Sequence, residues 1–128
     1  MSRETRSHLQ QYTSDLLALN KEAEEYYLEI VRRYDSYEPD FFGKVKPFAD
    51  QVAALREQWL PEATAFVQKE RPLHLHPSQL QQTAENLEIV AIKSFYKETS
   101  LKRQMETFKS VEYVLNQLLD AISAATGK

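Results

Sequence analysis

The sequence predicts an all-α protein, an antiparallel up-and-down four-helix bundle forming one domain over residues 1–128. Three observations carry that expectation. Only two glycines occur, Gly43 and Gly127, and Leu, Ala, Glu, Gln and Lys outnumber the β-branched residues, a composition that favours helix throughout. Apolar residues recur at alternating steps of three and four in four separate segments. The segments are joined by short stretches holding prolines or a capping residue, which makes consecutive helices antiparallel neighbours.

The first segment runs from about Arg6 to Tyr37. Leu9, Tyr12, Leu16, Leu19, Ala23, Tyr26 and Ile30 form one stripe, widened by Leu17, Tyr27, Val31 and Tyr34. From Leu9 to Tyr37 such a helix spans ~42 Å at 1.5 Å per residue, longer than its partners, so one end must overhang or pack beneath a loop. Next comes "SYEPDFFGKVKPF", where Pro39, Gly43 and Pro47 exclude a plain helix; Phe41 and Phe42 are placed to cover the overhanging end. Pro47 suits the first turn of a second helix, because its missing N–H would be unpaired there anyway. The second stripe is Phe48, Val52, Leu55, Trp59, Ala63, Phe66 and Val67. Its period survives Pro61, which predicts a kink near Gln58 to Leu60 rather than two helices.

The third helix is expected from Pro77 or Ser78 to about Glu98, on Leu80, Ala84, Leu87, Ala91 and Phe95. Ser100 then offers an N-cap for the fourth. That helix presents Leu101, Met105, Phe108, Val111, Leu115, Leu118, Leu119 and Ile122 and frays by Gly127.

A chain of 128 residues can bury a full core without staples, so no cofactor is called for. The absence of cysteine excludes disulfides, thiolate catalysis and cysteine-ligated metal centres. No stretch approaches the roughly 18 uninterrupted apolar residues of a membrane span, and residues 1–20 do not resemble a signal peptide. The reading is a cytoplasmic protein without a membrane partner. A net charge of −3 argues against nucleic acid as a partner. Glycine-rich phosphate loops, nucleophile elbows and dinucleotide fingerprints are absent.

The stretch "ERPLHLHPSQL" poses a choice between a corner and a site. Pro72 and Pro77 disfavour helical backbone at Arg71 and His76. An extended run between them puts Leu73 and Leu75 on one side, plugging the core, and His74 and His76 on the other. His76 is placed to cap the third helix. The functional alternative adds His8, which lies at the same end, so that His8, His74 and His76 converge on a metal such as zinc. Three imidazoles with no carboxylate fixed by spacing do not close a structural site, and the stretch is read as a corner. The Glu-x-x-His spacing of di-iron bundles is absent, and the second, third and fourth helices hold no histidine.

Glu112 falls on the core line of the fourth helix. Val111 beside it can take the core position and leave the carboxylate at the boundary; a single carboxylate without a matched acid, base or nucleophile makes no active site. The opposite end is more suggestive of binding. Phe41, Phe42 and Phe48 stand beside Lys44 and Lys46, and Lys93, Lys97, Lys102 and Arg103 approach from the third and fourth helices near Tyr96. Interleaved cations and aromatics can hold a phosphate backbone or an acidic peptide. The same residues also suit a plainer role, with aromatics filling the bundle top and lysines in water.

Three stretches, "DFFGKVKPF" followed by Trp59, "RPLHLHPSQL" followed by "ENL", and "FYKETSLKR" running into "SVEYVL", resemble the YppE-like proteins. These are Gram-positive bacterial proteins of unknown function that form four-helix up-and-down bundles. The resemblance covers about Asp40 to Leu119. Its corner motif falls on Arg71, Pro72, His76 and Gln79, with His74 at a variable position. It implies the bundle and no catalytic residue. The chain therefore reads as a non-enzymatic helical interaction module that binds another protein or forms a homo-oligomer, a reading encouraged by Tyr26, Tyr27, Tyr34 and Tyr37. The alternative is a small-ligand, anion or metal-binding protein using one end of the bundle.

Overall fold

Leucines and aromatics spaced three and four apart must be buried, and the helices that carry them do so on one another. The computed structural model describes residues 3–126, and among them there is no strand. Helix α1 spans Arg3–Tyr26, α2 Lys46–Glu70, α3 Pro77–Lys93 and α4 Leu101–Thr126. Helix α1 packs on α2 and α4, α3 packs on the same two, and α1 meets α3 only weakly across the diagonal. That ring of neighbours is the expected up-and-down bundle. Its core runs from Leu9, Trp59, Leu80 and Ile122 to Tyr27, Phe48, Phe95 and Phe108, all buried. The expected fraying at Gly127 lies outside the described residues.

The helix boundaries differ from the sequence reading in instructive ways. Helix α1 does not continue to Tyr37. It ends in a π turn, Tyr27–Val31, closed by the Arg32 N–H donating to the Tyr27 carbonyl at 3.0 Å. A π turn fits one extra residue into the helix, and the buried line accordingly moves from Ala23 to Tyr27 and Val31 while Ile30 turns outward. A straight continuation beyond Val31 would run past its neighbours, since α2 begins only at Lys46 and α4 only at Leu101. The chain instead folds across the end of the bundle, where the Tyr37 hydroxyl donates to the Phe95 carbonyl at 2.8 Å.

Helix α3 also stops earlier than Glu98. The Phe95 and Tyr96 N–H groups make tight bonds to the Ile92 and Lys93 carbonyls, 3.3 and 3.2 Å, and this turn drives Phe95 into the core. The Phe95 ring lies 5.3 Å from both Tyr26 and Phe48. It is Phe95, helped by Tyr37, that closes this end, whereas Phe41 and Phe42 remain exposed. Helix α2 runs unbroken through Pro61 and is preceded by a second π turn, Phe41–Val45. On α4 the buried line begins at Gln104 rather than Leu101, and Val111 takes the core position while Glu112 faces water.

Polar groups inside the bundle pin the register. The Thr13 hydroxyl donates to the Leu9 carbonyl at 2.7 Å and accepts from the Trp59 indole N–H at 3.1 Å, joining α1 to α2. The Asn20 amide donates to the Phe108 carbonyl at 3.0 Å, joining α1 to α4. A buried donor without a partner would cost about 1–3 kcal/mol, so these pairs penalise any slip of one helix along another.

Candidate functional site

The corner between α2 and α3 is built by backbone. Arg71 ends α2 in the left-handed region (φ 48°), its N–H donating to the Val67 carbonyl at 2.9 Å. His74 is left-handed too (φ 63°), and this breaks the extended run expected between the prolines. With the alternation lost, Leu75 enters the core at 2 % exposure while Leu73 stands out at 86 %. Only one leucine plugs the end. His76 adopts the extended geometry expected before Pro77 and starts α3, its N–H donating to Gln79 Oε1 at 2.6 Å. The loop frames a groove of about 480 Å³ lined by Arg71, Leu73, His74 and His76. His8 stacks loosely on Tyr12, 6.4 Å between rings. Among the described residues no three His, Cys, Asp or Glu side chains gather as a metal centre would need.

At the opposite end Asp40 caps the π turn, its carboxylate accepting from the Gly43 N–H at 2.9 Å. A Cβ on Gly43 would collide with that carboxylate, so glycine permits the cap. The turn holds the Phe41 and Phe42 rings edge-on, 5.2 Å apart, with Phe42 80 % exposed. The two neighbouring lysines are already engaged. Lys44 Nζ lies 4.9 Å from the centre of the Tyr26 ring and 3.7 Å from Glu22, and Lys46 Nζ lies 2.8 Å from Asp50. Lys97 ties two loops together, donating to the Tyr34 carbonyl at 3.0 Å and lying 3.5 Å from Asp35. Arg32 reaches the Thr99 carbonyl at 3.3 Å, and the Tyr27 hydroxyl bonds the Thr99 hydroxyl at 2.8 Å. Burial, aided by the neighbouring Tyr26 and Tyr96, pushes the Tyr37 hydroxyl up to about 12.

The candidate binding residues at this end therefore divide. Phe41, Phe42, Lys44 and Lys46 share one turn and the start of α2, and Lys97 serves the loop crossing. Lys102 and Arg103 stand in the first turn of α4, and neither joins an ion pair among the described residues. Arg103 shares with Lys93 a hollow of about 520 Å³ between α3 and α4. Gln104 and Ser100 line it as well, and nothing in the helical period marked Gln104 for that place. The tyrosines expected at an interface are mostly internal: Tyr27 is fully buried, Tyr26 and Tyr37 are half-buried, and only Tyr34 faces water.

This architecture recurs in known proteins. The profile of a bacterial domain of unknown function, DUF1798, matches residues 13–122. The uncharacterized protein YppE of Bacillus subtilis is 24% identical over 115 residues, covering 90% of this chain and 92% of YppE. A crystal structure of a Listeria innocua protein of unknown function superposes with a TM-score of 0.87 at 27% identity, over 97% of this chain and 98% of that one. The crystal structure of YppE itself superposes with a TM-score of 0.86 at 23% identity, over 100% of both chains. None of these relatives is described with an activity. With its bundle, its two closed ends and a family profile spanning most of its length, the chain belongs to the DUF1798 family of bacterial proteins of unknown function.

Proposed function

We propose that the protein is a non-catalytic helical module of the cytoplasm that binds another protein through the end carrying Phe41 and Phe42. The observation that supports this most is Phe42, 80 % exposed on a turn fixed by the Asp40 cap. A large apolar ring held out on a braced turn loses little freedom on binding, and aromatic anchors dominate protein interfaces. The two lysines beside it are neutralised by Glu22 and Asp50, which favours a protein surface over an anion at that spot.

The test is affinity capture of the tagged protein at native level beside its Phe41→Ser/Phe42→Ser variant, followed by mass spectrometry. A partner recovered by the parent and lost by the variant supports the proposal. Recovery of the same proteins by both, or of nothing above background, rejects it.

A further inference from the structure

Lys93 and Arg103 line one hollow between α3 and α4, and neither joins an ion pair among the described residues. Arg33, Lys44, Lys46, Arg56 and Lys97 each lie within 3.7 Å of an acidic oxygen. Lys93, in the last turn of α3, and Arg103, in the first turn of α4, do not, although both line the same 520 Å³ space. The first turn of α4 carries no acidic residue, so the positive end of this 26-residue helix adds to the two side chains, with Glu98 the one carboxylate in the lining.

Polar groups of the opposite kind complete the lining. Gln104 is 3 % exposed, and its amide donates to the Ser94 hydroxyl at 2.9 Å. No side chain among the described residues donates to its Oε1, and Gln104 belongs to the lining of the hollow. Glu98 supplies a second acceptor, and Ser100 a hydroxyl whose oxygen takes the Arg103 N–H at 3.3 Å and whose proton is free to be donated. Tyr96 adds a half-buried ring.

From this lining we infer that the hollow binds a free mononucleotide-class phosphomonoester. Its phosphate is held by Arg103, Lys93 and the Ser100 hydroxyl, since a guanidinium matches phosphate oxygens two at a time. Its hydroxyl or amino donors meet Gln104 Oε1 and Glu98, and its flat ring lies on Tyr96. The Glu98 carboxylate selects against further phosphates, because like charges in one cavity repel. The volume falls within the roughly 300–1,000 Å³ of ordinary small-molecule sites.

The experiment is an amide chemical-shift titration of the full chain with adenosine 5′-monophosphate. Parallel arms use adenosine, inorganic phosphate, adenosine triphosphate and a 5′-phosphorylated tetranucleotide. The expected result is saturable shifts centred on residues 93–107, with a dissociation constant of about 1 mM or below. Each comparison arm binds at least about tenfold more weakly, as do Arg103→Met and Lys93→Met, two exposed positions whose variants keep the parent amide spectrum elsewhere. The inference is overturned by absence of saturation, by shifts centred outside 93–107, or by both variants binding as the parent does. It is equally overturned if phosphate alone, adenosine or the tetranucleotide matches the mononucleotide, since each would assign the hollow to a different ligand.

Discussion

At the corner between α2 and α3, residues 71–76 cover the core with a single leucine, and two left-handed residues aim it. At the opposite end the loops 32–40 and 94–100 cover the same core with Phe95 and with a lattice of hydrogen bonds from Tyr27, Arg32, Tyr37 and Lys97. The corner is short and spends backbone freedom; the loop end is long and spends side chains. Binding groups can accumulate at the second kind of end and not at the first. A corner held by its own backbone leaves its side chains little to organise, whereas crossing loops bring residues from all four helices to one place.

The sharpest way to break this contrast is to remove the plugs. Phe95→Ala deletes a ring packed against two aromatics and should cost about 3–5 kcal/mol in chemical denaturation. A loss below ~1.5 kcal/mol would show that the hydrogen-bond lattice, and not the ring, closes the loop end. At the corner Leu75→Ala should cost about 2–4 kcal/mol, while Leu73→Ala, at a surface position, should stay within about 0.5 kcal/mol of the parent. Equal losses at the two leucines would restore the extended strand that the left-handed His74 denies.

Tyr37→Phe removes the bond to the Phe95 carbonyl and should cost about 0.5–1.5 kcal/mol. It should also alter the alkaline response. The Tyr37 hydroxyl titrates near 10 in the unfolded chain and at about 12 in the fold. The unfolded state therefore releases its proton first, and stability present below pH 10 is lost as pH rises toward 12. Urea midpoints between pH 9 and 11.5 should fall less steeply in Tyr37→Phe than in the parent. Smallest is His74→Gly, which relieves a left-handed side chain and should raise stability by about 0.5–1 kcal/mol. A loss of that size would mean that the imidazole makes contacts worth more than the backbone strain.

The bundle itself was legible because periodicity reports directly on burial: Leu16, Trp59, Leu87 and Leu115 were placed inside by spacing alone and are fully buried. Ser100 and His76 were legible as helix starts for an equally local reason. The ends of α1 and α3 were not. Tyr34 and Phe95 continue their stripes on paper, but a helix persists only where a neighbour covers it, and that depends on chain from elsewhere. The π turn at Tyr27–Val31 was invisible because an inserted residue in a helix has no compositional mark. At the candidate site, charges could be gathered at one end by topology. Which of them are already neutralised, Lys46 by Asp50 and Lys97 by Asp35, and which face a cavity, Lys93 and Arg103, depends on where the fold places their side chains.

Thr99 illustrates what a shared anchor does. Its hydroxyl and its carbonyl serve two different residues at the end of α1, and the same segment forms one wall of the α3–α4 hollow. Whatever stills that segment also stills the loop following α1, so amide exchange in 32–37 and in 94–100 should slow in step, as a single opening unit with one protection factor rather than two.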